Sequence, residues 1–198
     1  MKMKKGVALN VIGVIFLIFG IGAWVNYTLT FDLNKIFWMC YLSLIIMGIG
    51  ALRKNAYVIM SQVYILALPL IIWDIDFIFR LFSGTPLFGI TDYFFWGDFN
   101  FGKFIVLQHL FSVPLAIFAA RNIGLERKDA WKVSLIQIAL VYITVSSFVP
   151  KEHNINCIFT SCVNTSLGLP YPLIWFVVFF GMTLVSAFVI NNYIFKEN

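Results

Sequence analysis

Charge is what this chain has least of. Asp, Glu, Lys and Arg make up only 12% of its 198 residues, where a soluble domain carries roughly a quarter. That excludes an ordinary water-soluble globule. The balance is basic, at +5, yet the basic residues follow the gaps between apolar runs. They mark membrane topology, and no nucleic-acid partner is expected. Cysteine is scarce too: Cys40, Cys157 and Cys162 are too few for a disulfide-built fold. Near the thiols only His153 stands as a further ligand, so no metal and no cofactor are expected. A cleavable leader is also missing from the expectation. Met1-Lys2-Met3-Lys4-Lys5 and the apolar run after it imitate one, but the run is long enough to span and lacks an A-x-A-like site. Neither an internal repeat nor an inverted pair of broken segments of the transporter kind is visible.

Apolar sequence fills the rest, at 61% hydrophobic with 22 Phe. Six segments approach the roughly 20 apolar residues of a spanning helix: residues 7–28, 36–52, 57–79, 104–120, 131–149 and 172–194. The expectation is an all-α integral membrane protein, one transmembrane helical domain over residues 1–198, multi-pass, in the cell membrane if the host is prokaryotic. Residues 82–102, aromatic-rich and broken by Gly84, Pro86, Gly89 and Gly97, read as an interfacial or re-entrant loop. With the amino terminus inside, ten of the 14 basic residues (Arg53, Lys54, Arg121, Arg127, Lys128 and Lys132 among them) fall on one side. Lys35, Arg80, Lys103 and Lys151 fall on the other. The positive-inside rule then puts both termini in the cytoplasm. Gly13, Gly20, Gly22, Gly48 and Gly50 are small residues that let helices approach closely. Pro69 and Pro114 should each kink a helix, Pro114 by freeing the carbonyl of Leu110.

Depth singles out a set of polar residues. Asp74 lies roughly 9 Å inward from Arg80, His109 roughly 9 Å inward from Lys103, and Cys40 roughly 7 Å below Lys35 at 1.5 Å per residue. A thiol, an imidazole and a carboxylate thus share one level in the outer half of the membrane. A thiol needs a base to become a thiolate, and a histidine needs a partner to fix its tautomer. Asp76 and Arg80, four apart, are placed to pair, which leaves Asp74 for His109. Gln108 is adjacent to His109, and Ser112 shares its face. Asn154 and Asn156, in an outer loop, offer donors to a carbonyl oxygen. Structural readings stand beside these: Cys40 as a small buried hydrophobe, His109 as an interhelical hydrogen-bonder, Asp74 and Asp76 as a cluster with Arg80, and the asparagines as loop caps. Cys157 and Cys162 are a disulfide or two free thiols, and their spacing departs from C-x-x-C. Asn26-Tyr27-Thr28 and Asn164-Thr165-Ser166 match the glycosylation pattern.

Two stretches carry a resemblance. Leu107-Gln108-His109-Leu110-Phe111-Ser112-Val113-Pro114 resembles the histidine helix of a family of multi-pass membrane proteins. The family includes the androgen-induced and androgen-dependent hydrolases, an acyltransferase acting on ether phospholipids, and bacterial YwaF-type proteins. The run from His153-Asn154-Ile155-Asn156-Cys157 to Pro170-Tyr171-Pro172-Leu173-Ile174-Trp175 is similar to the acyltransferase's Asn-x-Asn loop and the segment after it. The resemblance implies a six-helix fold, a membrane-lipid substrate and a nucleophile–histidine dyad, with His109 as base. Cys40 stands where the nucleophile would, without the family's nearby proline. One expectation is therefore a lipid acyltransferase or ester hydrolase, in which Cys40 attacks an acyl carbonyl, Asp74 orients His109, and Asn154 or Asn156 faces the oxyanion. The other is a carrier or small-solute and proton binder, with Asp74, Asp76, Arg80 and His109 lining a polar cavity. Oligomeric state stays open.

Overall fold

Apolar runs of this length satisfy their backbone groups only by forming helices, and the computed structural model, which describes residues 5–163 and 170–196, shows no strand among them. Among the described residues eight α-helices follow one another: α1 (Lys5–Leu29), α2 (Met39–Leu52), α3 (Ala56–Ser83), α4 (Asp92–Phe95), α5 (Phe101–Val106), α6 (His109–Ile123), α7 (Trp131–Phe148) and α8 (Tyr171–Val189). Their ends carry the local signals that stop helices. Asn55 and Asn100 accept from the backbone N–H of Val58 and Lys103 at the starts of α3 and α5. Gly84, at φ +75°, closes α3 in the left-handed region.

Among the described residues five helical stretches are long and apolar enough to cross a membrane: Gly6–Leu29, Ala56–Ser83, Phe101–Ile123, Trp131–Phe148 and Tyr171–Ile194. The second expected span is shorter than the expectation for residues 36–52. Its α-helix covers the 14 residues Met39–Leu52, because Leu33–Phe37 winds as a 3-10 helix and Trp38 turns extended. The segment expected at 104–120 is also not one helix. It begins at Phe101 as α5, tightens at Leu107 and Gln108, and continues as α6 to Ile123.

Helix α3 is the hub, packed against α2, α6, α7 and α8, with α1 lying along α2. The small residues account for the last contact. A Cβ on Gly48 would stand 2.8 Å from Leu17 Cγ and 2.9 Å from the Gly13 carbonyl oxygen, so the two backbones meet where neither has a side chain. Where α3 meets α7 the seam is polar: the Gln62 and Gln137 amides donate to each other at 2.8 and 2.9 Å, and Ser134 donates to the Ser61 carbonyl. Asn191, beyond α8, accepts from Tyr64 and donates to the Lys128 carbonyl. These contacts gather the α2–α3 turn, the α6–α7 loop and the end of α8 at one end of the bundle. That end carries Arg53, Lys54, Arg121, Arg127 and Lys132 exposed. The opposite end holds the α1–α2 and α7–α8 loops and a cap formed by residues 84–100.

Candidate functional site

The site is built on the broken α5–α6 span. Between Phe104 and Phe111 the backbone bonds reach back three residues: Leu107 N–H to Phe104, Gln108 to Ile105, Leu110 to Leu107 and Phe111 to Gln108, at 3.1–3.2 Å. Such a tightened turn within a span is a local change of helix type. It lies on the N-terminal side of Pro114, the side the proline ring crowds. It also aims three polar side chains inward, and Gln108, His109 and Ser112 are all buried.

None of the three has a partner. Both amide atoms of Gln108, both ring nitrogens of His109 and Ser112 Oγ are shut from solvent and make no hydrogen bond. An unmet buried polar atom costs about 1–3 kcal/mol, so five on one turn of helix form a concentrated deficit. What His109 does touch is aromatic. Its ring meets Trp73 edge-on at 4.6 Å between centroids. Trp73 in turn stacks on Phe77 at 4.9 Å and donates from Nε1 to the Tyr93 hydroxyl at 3.1 Å. Asp74, the next residue on α3, leaves its Oδ1 buried and unpartnered as well.

The expected dyad is not assembled. His109 hydrogen-bonds to neither Cys40 nor Asp74, since neither of its nitrogens is bonded to anything. Cys40 is a free thiol, half-buried in the first turn of α2, packed on the apolar core. The expected Asp76–Arg80 pair is not formed either. Asp76 is fully buried, and Oδ1 accepts from the N–H groups of Leu87, Phe88 and Gly89 at 3.0, 2.6 and 3.3 Å. Its Oδ2 accepts from the Thr91 N–H and hydroxyl, both at 2.8 Å. A buried carboxylate is tolerable when it is hydrogen-bonded this fully, and here it folds the cap onto α3. Arg80 pairs instead with Asp92 at 2.5 Å and lies over the Phe95 ring. Lys103 donates to the Trp96 and Gly97 carbonyls, pinning the far side of the cap.

Asn154 and Asn156 are both engaged by backbone groups of the loops, not turned toward His109. Asn154, left-handed at φ +41°, accepts from Phe159 and Thr160 and donates to the Thr160 carbonyl. Asn156 accepts from Met39 N–H at 2.9 Å and donates to the Phe37 carbonyl at 2.9 Å. It thereby caps α2 from across the bundle, where Trp38 supplies no side-chain cap. Its own carbonyl accepts from Trp175 Nε1. Cys157 and Cys162 are joined as a disulfide within this loop. Asn26 lies inside α1 rather than in a loop, and Asn164 falls outside the described residues.

Polar residues that the ionisable-group reading passed over include Gln62, Gln137 and Ser43, the last buried and unpartnered on α2. Their signal was available: each is a polar residue inside an apolar run, the same sign that marked His109. Among the described residues no group of three His, Cys, Asp or Glu side chains is placed to hold a metal ion. Compared with known proteins, the chain matches no family model, no curated protein and no solved structure.

Proposed function

We propose that the chain is a six-pass integral membrane protein whose work is done at a polar site inside the membrane, centred on His109, that binds and passes protons or a small hydrogen-bonding solute. The observation that carries this reading is the set of five unpartnered polar atoms on Gln108, His109 and Ser112. Polar side chains at membrane depth are expensive and mark pathways for ions, protons or solutes. Asp74 extends the site onto α3.

The six-pass count rests on α2, an apolar helix shorter than the other five. Fourteen α-helical residues rise about 21 Å, short of the roughly 30 Å hydrocarbon core, and a short span is accommodated by local thinning of the bilayer. The gathering of exposed basic residues at one end supports a cytoplasmic orientation for that end and for both termini.

The test is proton flux into liposomes carrying the purified protein and a trapped pH-sensitive dye, driven by an imposed potential. Flux is expected to fall at least about tenfold, the change that 1.4 kcal/mol makes, in His109→Leu and in Asp74→Asn, and to persist in Cys40→Ala. Flux indifferent to His109 would sink the proposal. Acyl transfer to or from membrane lipid is the second reading, favoured by the two uncommitted nitrogens a base would need. It calls for an acyl-directed probe that labels Cys40 and loses that label in His109→Ala.

A further inference from the structure

The cap over residues 84–100 has an inside and an outside of opposite character. Apart from Asp98, the charges in and against it face inward. Asp76 spends both oxygens on the cap backbone, Arg80 and Asp92 meet each other at the α3 boundary, and Lys103 is buried with its ammonium on two cap carbonyls. Its outward face, with the helix ends it joins, is apolar: Phe82, Leu87, Phe88, Trp96, Phe99 and Phe101 are all exposed, Phe82 by 85%, Trp96 by 66% and Phe99 by 64%. Asp98 is the single exposed charged side chain between residues 81 and 104.

Large exposed rings rimmed by backbone and short polar groups suit the headgroup level of a bilayer, where an aromatic body and a wet edge are both accommodated. The cap also sits at a fixed level, since it joins the ends of two helices long and apolar enough to span. The two cations that touch the cap are committed, Arg80 to Asp92 and Lys103 to two carbonyls, and the accessible Lys35 and Lys151 of this end sit on other loops. Nothing on this face therefore attracts anionic lipid, whose pull on a surface comes from exposed Lys and Arg.

From this apolar, cation-free face we infer that the cap is a lipid-docking surface that seats its aromatic ring in the headgroup layer of a zwitterionic leaflet, without dependence on lipid charge. The occupant is lipid, neither water nor a second protein chain. The Asp76 bonds hold the cap rigid against α3, so the depth of the ring fixes the height of Trp73, and with it of His109, relative to the membrane surface. This inference needs only the membrane-embedded reading and stands apart from what His109 binds.

The full-length protein, grown with fluorotryptophan and reconstituted in phosphatidylcholine nanodiscs, gives a fluorine NMR signal for Trp96, assigned by its loss in Trp96→Phe. That signal should broaden with a nitroxide on the lipid headgroup more than with a mid-chain nitroxide, and should be shielded from a soluble gadolinium chelate. Adding phosphatidylglycerol or salt should leave the pattern unchanged. Asp98→Lys, which places a cation on the face, should make it respond to phosphatidylglycerol. Broadening by the chelate alone, protection from lipid and chelate together, stronger mid-chain broadening, or a lipid-charge response in the native chain would each overturn the inference. All of these readings are independent of proton flux.

Discussion

At the scale of single residues the balance of costs is what separates scaffold from site. Asp76, Asn154 and Asn156 were all candidates for chemistry, and each is engaged by backbone partners. Gln108, His109 and Ser112 are buried and their side-chain polar atoms bond to nothing. Removing a polar group that has no partner relieves a penalty, whereas removing one that has a partner creates one. Gln108→Leu and Ser112→Ala should therefore raise thermal stability in detergent, by about 1–2 kcal/mol each, while impairing flux. Asn156→Ala should lower stability by a similar amount, because it strands Met39 N–H and the Phe37 carbonyl. A loss of stability in the first pair would mean that structural water occupies the site, and the argument for a functional deficit would fail.

At the scale of elements the glycines decide how α1 meets α2. Gly13 and Gly48 face each other so closely that a Cβ on Gly13 would lie 2.8 Å from Leu52 Cγ and 3.0 Å from the Gly48 carbonyl oxygen. Overpacking of this kind costs about 1–3 kcal/mol. Gly48→Ala should destabilise the folded protein by that amount in equilibrium unfolding from mixed micelles. The Gly13→Ala, Gly48→Ala double variant should lose less than the sum, since helices already forced apart tolerate the second methyl. Strict additivity would show that the two sites do not share one crossing. The glycine signal was legible in the sequence because close approach demands the absence of a side chain whatever the partner. The tightened turn at Leu107 and Gln108 was not legible, since a proline shows where a bond is missing and leaves open which neighbouring turn changes its winding.

At the scale of the whole molecule, two loops distant in sequence are fastened into one end of the bundle. Asn156 joins the start of α2 to Trp175 of α8, the Tyr171 hydroxyl donates to the Cys157 carbonyl, and His153 bonds Asn34 at 3.0 Å. The Cys157–Cys162 disulfide closes this junction over a sequence separation of 5. A loop of that size restricts the unfolded chain by about 2 kcal/mol on the entropy model. Reduction by a dithiol should lower the unfolding temperature accordingly, with the Asn156 anchors still holding the loop. An unchanged unfolding temperature would assign the junction wholly to its hydrogen bonds.

What the amino-acid order settled by itself is whatever depends on composition and local spacing. A chain this poor in charge has to bury its backbone polar groups in helices, long apolar runs set most of their lengths, and basic residues cluster between alternate runs. His109, Gln108, Ser112 and Asp74 are legible in the same way, because a polar residue in an apolar run stands out without any fold. Partnership was left to the tertiary structure. Depth along a helix follows from counting residues, but which side chains face each other depends on the order and rotation of helices around the bundle, and neither is written in spacing. So Asp76 went to the cap rather than to Arg80, the asparagines to the start of α2 and to their own loop, and His109 to Trp73 rather than to Cys40.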